Sequence, residues 1–232
     1  MKVKRLAIIA LSSVLALSLA VLAFIFISRS MRGERSDYHN ERVERFIEEN
    51  ETVNRCDILF LGDSLTDGYD YNIPYPEYFS LNRGIGGDRT ADLIDMLDEA
   101  VYPVHPELVV LLIGGNDVLS GKQDEYIMEN LAYIIDEIKE NTGAKILVQS
   151  FYPISGDWAH HATTMQRLNF AVEALCEEKG CSFIDMYTPL SDPESGLFRP
   201  EYTVEGVHLS DAGREVVVNT LKPVIYDIIR AR

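Results

Sequence analysis

The chain has 232 residues, 47% of them hydrophobic, which is enough to bury the core of one domain with a short appendage. Its 37 acidic residues outnumber its 21 basic residues, so the formal net charge is −16 at pH 7. This charge has the wrong sign for binding phosphate backbones, and it excludes nucleic acid as a partner. The three cysteines have neither a disulfide framework nor the spacing of a metal site, so we expect buried free thiols.

The first 28 residues differ in composition from the rest of the chain. Residues 6–27 are apolar apart from three serines, and about 20 such residues can cross a bilayer. Lys2, Lys4 and Arg5 come before them, which favours a cytoplasmic N-terminus. We predict that residues 1–28 form a single-pass membrane anchor and that the rest of the chain faces outward. Cleavage after Ser18-Leu-Ala20, as in a signal peptide, is the alternative and would give a secreted protein.

Residues 29–53 are rich in charge and poor in apolar side chains. This composition predicts a solvated tether or helix that leads away from the membrane. We therefore expect the globular domain to occupy residues 54–232.

Short apolar runs alternate with longer amphipathic stretches from residue 56 onward. Five runs predict strands: "CDILFLG", "YFSLNRGI", "ELVVLLIGG", "AKILVQSFY" and "CSFIDMY". Helices are predicted over residues 90–101, 124–141, 163–179 and 211–229. Alternating strands and helices, with nearly continuous apolar strands, predict an α/β fold in which helices cover both faces of a parallel sheet.

Open parallel sheets bind ligands beyond the carboxyl ends of their strands. The loops expected at that edge begin "GDSLTDG", "GIGGDRT", "GGND" and "PISGDW", and "TVEGVHLSDAG" comes before the last helix. These five loops are therefore where we look for functional residues.

A serine follows the first predicted strand, and a histidine and a glutamate occur together near the end of the chain. Ser64 alone is weak evidence, because serines often cap helices. Its hydroxyl becomes a nucleophile only with a base within hydrogen-bond distance, and of the five histidines His208 has the most suitable position. Glu205 can reach back to the imidazole and fix its tautomer. Each residue has an ordinary structural explanation, but together they predict a catalytic triad.

Acyl transfer also needs hydrogen-bond donors for the developing oxyanion. Three candidates follow predicted strands. The backbone N–H of Ser64 is expected to begin a helix, Gly87 lacks a side chain that would keep a substrate away, and Asn116 carries an amide. A turn glycine and a capping asparagine are the ordinary alternatives for the last two. Together the donors predict an oxyanion hole.

The four blocks "GDSLT", "GIGGD", "GGND" and "EGVHLS" resemble, in order and spacing, those of the SGNH hydrolases, also called the GDSL esterase/lipase family. The resemblance covers the chain from about residue 56 to the C-terminus. It implies a flavodoxin-like, three-layer α/β/α fold and the activity of an esterase, lipase, thioesterase or carbohydrate acetylesterase that needs no metal or other cofactor. Ser64, Gly87, Asn116 and His208 take the four block positions. The segments "NRGIGGDRT" and "HPELVVLLIGGND" most resemble the branch of the family that is related to platelet-activating-factor acetylhydrolase.

One position departs from the family pattern, because Glu205 stands where the resemblance implies an aspartate. The extra methylene moves the carboxylate by roughly one bond length, and glutamate fills this role in other hydrolases. We expect the substitution to affect efficiency more than mechanism.

Three functions are compatible with these residues. The first is a serine esterase acting on acyl esters, short-chain or acetyl, of a carbohydrate or a lipid. The second is a metal-dependent phosphohydrolase, and the third is an inactive, membrane-tethered binding module. The phosphohydrolase would use the possible metal ligands expected at the same edge, which are Asp63, Asp67, Asp88, Asp117 and His208. The sequence favours the esterase. Five residues are candidates for lining its pocket: Leu65, Tyr69, Tyr71, Trp158 and Phe198.

Overall fold

The structure, a computed structural model, describes residues 37–231. The predicted anchor, residues 1–28, lies outside this range. Within the described residues no helix is both long enough and apolar enough to cross a membrane.

Five parallel strands form one sheet in the order β2-β1-β3-β4-β5. The strands are β1 (Ile58–Gly62), β2 (Ser80–Gly84), β3 (Leu108–Leu112), β4 (Lys145–Gln149) and β5 (Ser182–Ile184). In the register of the central strands, Leu59 of β1 pairs with Leu81 on one side and Val109 on the other. The strand order 2-1-3-4-5 is that of flavodoxin-like folds, so both the parallel sheet and this topology are confirmed.

Eight α-helices occur in the described part of the chain. They are α1 (Asp37–Asn50), α2 (Thr90–Ile94), α3 (Leu97–Ala100), α4 (Gly115–Leu119), α5 (Asp124–Thr142), α6 (Ala162–Lys179), α7 (Tyr187–Leu190) and α8 (Asp211–Arg230).

Alternate residues of the central strands β1, β3 and β4 enter two separate cores, one on each face of the sheet. Leu59 of β1 packs in the core that includes α5 and α6, whereas Phe60 packs in the core that includes α8. Because successive strand residues point to opposite faces, the nearly continuous apolar strands are explained by helices on both sides.

The predicted helix over residues 90–101 is interrupted. The backbone N–H of Met96 donates to Leu93 O at 3.2 Å, an i to i+3 bond, and α2 and α3 lie on either side of this point. Leu93, Met96, Leu97 and Ala100 are all buried. The helical spacing of apolar residues is therefore kept across the break, which is why the sequence pattern does not reveal it.

Part of the segment predicted as a charged tether belongs to the globular unit, which begins at Glu41. Within α1, Phe46 is only 2% exposed and lies in the same core as Leu59. Asn50 Nδ2 donates to Glu99 O at 2.7 Å. One buried aromatic residue and a few directed polar contacts thus attach a strongly charged helix to the domain.

Candidate active site

Ser64 lies in the loop that follows β1 at the carboxyl edge of the sheet. The backbone N–H of Asp67 donates to Asp63 O at 2.9 Å, which closes one turn over Ser64. The turn ends at Gly68, whose φ of 70° cannot continue a right-handed helix. The expectation that Ser64 begins a helix is therefore wrong, and the dipole of a long helix does not contribute at its N–H.

The structure brings His208 and Glu205 to Ser64. Ser64 Oγ lies 3.0 Å from His208 Nε2, within hydrogen-bond distance. On the other side of the ring, His208 Nδ1 contacts Glu205 Oε1, which also accepts the backbone N–H of His208 at 3.2 Å. A histidine hydrogen-bonded in this way through Nδ1 presents Nε2 to the serine in the tautomer that can accept a proton.

A compact loop before α8 positions His208. Thr203 Oγ1 donates to His208 O at 2.8 Å and accepts the backbone N–H of Gly206 at 2.9 Å. The backbone N–H of Ser155, in the loop after β4, donates to Gly206 O at 2.9 Å. His208 is therefore held mainly by bonds within its own loop, and one hydrogen bond connects that loop to a neighbouring loop.

Asn116 and Gly87 are connected through the residue that follows Gly87. Asn116 Nδ2 donates to Asp88 O at 2.9 Å. An amide group has two N–H bonds, so one donor of Asn116 remains for another acceptor. Gly87 has φ 87°, and a Cβ there would meet no atom within 4 Å, so the backbone conformation rather than crowding favours glycine.

Asp63 is a titratable group next to Ser64 that sequence reasoning considered only as a metal ligand. It is 3% exposed, and its Oδ1 accepts the backbone N–H of Leu65 at 3.0 Å. Burial raises the pKa of Asp63 to about 7, opposed by that N–H and by nearby His208, and Asp88 and Asp117 raise it further.

A cavity of about 30 Å³ opens beside Ser64. Leu65, predicted to line a pocket, does so, whereas Tyr71 and Phe198 are buried in the core. Most of the apolar lining was not predicted. The segment "SFYPI" after β4 could have indicated it, because it continues the apolar run past the end of the strand. The lining residues are Asp63, Ser64, Leu65, Leu112, Gly115, Asn116, Leu119, Phe151, Tyr152, Pro153, Ile154, Met165 and Val207.

Another acidic residue near this edge has a structural partner. Both carboxylate oxygens of Asp117 accept hydrogen bonds from Thr90, from the backbone N–H at 2.9 Å and from Oγ1 at 3.0 Å. Burial raises the pKa of Asp117 above its ordinary value, although these two bonds oppose part of the shift. Across residues 37–231, no three His, Cys, Asp or Glu side chains are grouped so that they could hold a metal ion.

Comparison with known proteins gives matches over most of the domain. The model of the GDSL-like lipase/acylhydrolase family matches residues 60–216, which include all five predicted site residues. An acetylxylan esterase from Geobacillus stearothermophilus is 24% identical over a match that covers 75% of this chain and 96% of that protein.

Solved structures share the fold. A GDSL-like lipase from Bacteroides thetaiotaomicron superimposes with a TM-score of 0.70 at 25% identity, covering 82% of this chain and 99% of the other. A protein from Streptococcus pneumonia that is named for platelet activating factor superimposes with a TM-score of 0.75 at 24% identity, covering 91% and 99%.

Proposed function

The chain belongs to the GDSL-like lipase/acylhydrolase family, and on this premise we propose that Ser64 is the nucleophile of a serine esterase. Members of this family hydrolyse carboxylic esters, and the chain is an SGNH-type hydrolase of this kind. The arrangement of Ser64, His208 and Glu205, with 3.0 Å between Ser64 Oγ and His208 Nε2, is the observation that carries the proposed mechanism.

In the first half of the reaction Ser64 Oγ bonds to the acyl carbon and its proton passes to His208 Nε2. Glu205 stabilises the imidazolium that results. The tetrahedral intermediate then collapses, the ester C–O bond breaks, and His208 returns the proton to the leaving alcohol. An acyl group remains on Ser64.

Water completes the cycle. It attacks the acyl-enzyme while His208 takes one of its protons, and collapse of the second intermediate releases the carboxylic acid. The proton on His208 returns to Ser64 Oγ. Each cycle consumes one water, the enzyme returns to its starting state, and the proposed steps use no metal or cofactor.

Three donors would stabilise the oxyanion in both intermediates. They are the backbone N–H groups of Ser64 and Gly87 and the second N–H of the Asn116 amide. Donors of this kind act most strongly when they are fixed before the charge develops. The bond from Asn116 to Asp88 O supports such a fixed arrangement, since it holds the amide next to the Gly87 loop.

The substrate is, in this proposal, an ester with a short acyl group, acetyl or little larger. The space beside Ser64 in which the centre of a water-sized sphere can move is only about 30 Å³, which favours a small acyl group over a long chain. A carbohydrate is the alcohol that the acetylxylan esterase relative suggests, and a lipid is the other candidate.

The composition of the N-terminal residues supports a proposal about where in the cell the protein acts. We propose that residues 1–28 anchor the chain in the cell membrane and that the catalytic domain lies outside the cytoplasm. The full chain should then sediment with membranes and keep its N-terminus, whereas a version beginning at Ser36 should be soluble and active. A mature protein beginning near Val21 would instead indicate a cleaved signal peptide.

The decisive experiment is covalent labelling with a fluorophosphonate, followed by peptide mass spectrometry. An activated serine beside oxyanion donors is phosphonylated, so we expect one labelled residue, Ser64. Ser64→Ala should lose both the label and hydrolysis across a panel of acetyl, butyryl and octanoyl esters. Ser195→Ala, which changes an exposed serine, is the matched control and should keep both. A folded wild-type protein that is labelled elsewhere or not at all would refute the serine mechanism.

A further inference from the structure

The loop that carries Gly87 is held from outside the site by an acidic side chain. The backbone N–H of Gly86 donates to Asp67 Oδ2 at 2.9 Å. Asp67 lies three residues after Ser64, in the turn that follows β1. One carboxylate thus connects the turn of the nucleophile to the residue next to Gly87.

An arginine from α1 contacts the same place. Arg42 Nη2 donates to Gly84 O at 3.2 Å and lies 3.6 Å from Asp67 Oδ1. The side chains of Arg42 and Asp67 are 17% and 12% exposed, so the pair is partly shielded from water. The guanidinium also lies over the ring of Phe46, 4.9 Å from its centroid. Arg42 therefore attaches α1 both to the end of β2 and to Asp67.

Close backbone packing leaves these two loops little freedom to move apart. A Cβ on Gly84 would lie only 2.5 Å from Asp67 N, so any residue other than glycine would overlap with the Asp67 backbone. Asn82 reinforces the contact, because its Nδ2 donates to Thr66 O at 2.7 Å while its Oδ1 accepts the backbone N–H of Gly84 at 2.8 Å. A shift of the Asp67 turn would therefore be transmitted to the end of β2 and to the loop beyond it.

We propose that Asp67 and Arg42 are positioning residues for ester hydrolysis. In this proposal Asp67 fixes the Gly86–Gly87 backbone, and Arg42 offsets the negative charge of Asp67 beside a site where an oxyanion develops. The inference rests on the proposed function, because it takes the Gly87 N–H as an oxyanion donor. It adds a residue of α1 to those that determine the rate, and α1 lies before residues 60–216, the part of the chain that the family model matches.

The charges of Arg42 and Asp67 should have opposite effects on kcat. A carboxylate repels a developing oxyanion, and the repulsion is larger where water is partly excluded. Removing Arg42 alone leaves this repulsion uncompensated, whereas removing both charges abolishes it. Asp67→Asn retains an oxygen that can accept the Gly86 N–H. The double variant Arg42→Gln/Asp67→Asn should therefore be faster than Arg42→Gln.

The first measurement is kcat of the full chain on one acetyl ester, divided by the concentration of sites that a fluorophosphonate titrates. A small displacement of a catalytic donor costs up to ~100-fold in rate, so Asp67→Ala should lower kcat about 10- to 100-fold with KM changed less than about twofold. Arg45→Gln is the matched control, since Arg45 lies on the same helix and pairs with Glu41 at the surface. Its kcat should equal that of wild type.

The second measurement compares the charge variants. Arg42→Gln should lower kcat about 3- to 10-fold, and Arg42→Gln/Asp67→Asn should recover part of this loss. If Asp67→Ala fails to fold, these variants still test whether Arg42 and Asp67 have a positioning role. A purely structural role would reduce the titrated fraction and leave kcat per site unchanged, which would overturn the proposal. A double variant slower than Arg42→Gln would overturn the charge argument.

Failure of this inference can be distinguished from failure of the proposed function. If wild-type Ser64 is not phosphonylated, the serine mechanism itself is wrong. If Ser64 is labelled and Asp67→Ala has the wild-type kcat per titrated site, only the positioning role is wrong.

Discussion

The two sides of the candidate active site are held in place by different means. Ser64, Gly87 and Asn116 follow three adjacent strands, and their loops are connected to one another by partly buried hydrogen bonds. His208 and Glu205 share one loop before α8, and their side chains are 49% and 46% exposed. The comparison indicates that the sheet preorganises the proposed nucleophile and oxyanion donors, whereas the proposed base depends on a few bonds within its own loop.

The largest expected effect is on the side of the site that holds His208, where Glu205 is substituted. Glu205→Gln should lower kcat by about 10⁴, because an amide in this position favours the wrong tautomer of His208. The protein should still fold, and Ser64 should stay in place. Measuring kcat/KM on one activated ester with Glu205→Gln and Glu205→Asp tests this.

Two further variants complete the test at Glu205. Glu205→Asp should remain active, since it keeps the carboxylate and restores the spacing that is usual in the family. Asp211→Asn is the control for a nearby acid at the start of α8, and it should behave like wild type. Wild-type activity in Glu205→Gln would exclude Glu205 from the triad.

The next largest effect is expected on the other side of the site. Asn116→Ala should lower kcat by about 10²- to 10³-fold, the loss seen when one oxyanion donor is removed, with little change in KM. It should also cost about 1 kcal/mol of stability, because Asp88 O loses a hydrogen bond. Ser120→Ala, in the same region, is the matched control. A rise in KM at constant kcat would assign Asn116 to ground-state binding.

Asp63 gives a smaller, pH-dependent effect on stability. Because burial raises its folded-state pKa from 3.8 to about 7, its contribution to stability is complete below about pH 4 and is lost as the pH rises through 7. The free energy of unfolding of Asp63→Asn should not fall in this way. Between pH 4 and pH 8 it should therefore rise relative to that of wild type, by at most about 4 kcal/mol. Urea denaturation across this range measures it, with the exposed Asp227→Asn as the control for one lost charge. Parallel pH profiles for Asp63→Asn and wild type would contradict the assignment.

The smallest expected effect concerns the acyl cavity. Leu119→Ala should enlarge it and raise the butyryl-to-acetyl ratio of kcat/KM by about tenfold, since each methylene in such a pocket contributes ~1–3 kcal/mol. Leu175→Ala removes the same group from a partly buried position outside the cavity lining and should leave the ratio unchanged. An unchanged ratio in Leu119→Ala would mean that the acyl group lies elsewhere.

Much of the fold could be predicted from the sequence, because buried parallel strands and amphipathic helices have different apolar periods. The candidate site was also predictable in outline, since loops after strands meet at one edge and Ser64 and His208 both lie there. The turn at Ser64 could not be distinguished from a helix, because Gly68 alone ends it. The packing of α1 was missed because its charged residues conceal one buried aromatic residue, Phe46.

The ties between loops could not be predicted at all. The contact of Asp67 with Gly86 joins residues 19 apart, and that of Asn116 with Asp88 joins residues 28 apart. Such pairs depend on how closely neighbouring loops approach each other after the sheet has formed. Local sequence patterns carry no information on this distance.

The half-exposed His208 has a consequence for the form of the substrate. In the proposed mechanism this residue hands its proton to the departing alcohol, so the alcohol must lie where the imidazole is open to solvent. In the same proposal the acyl group, by contrast, enters the cavity of about 30 Å³ beside Ser64. An enzyme that holds the acyl group in a small cavity and leaves the alcohol in solvent selects the acyl group by size and accepts alcohols of any size. Deacylation could then proceed on the surface of a polymer or a lipid layer as readily as on a free small ester.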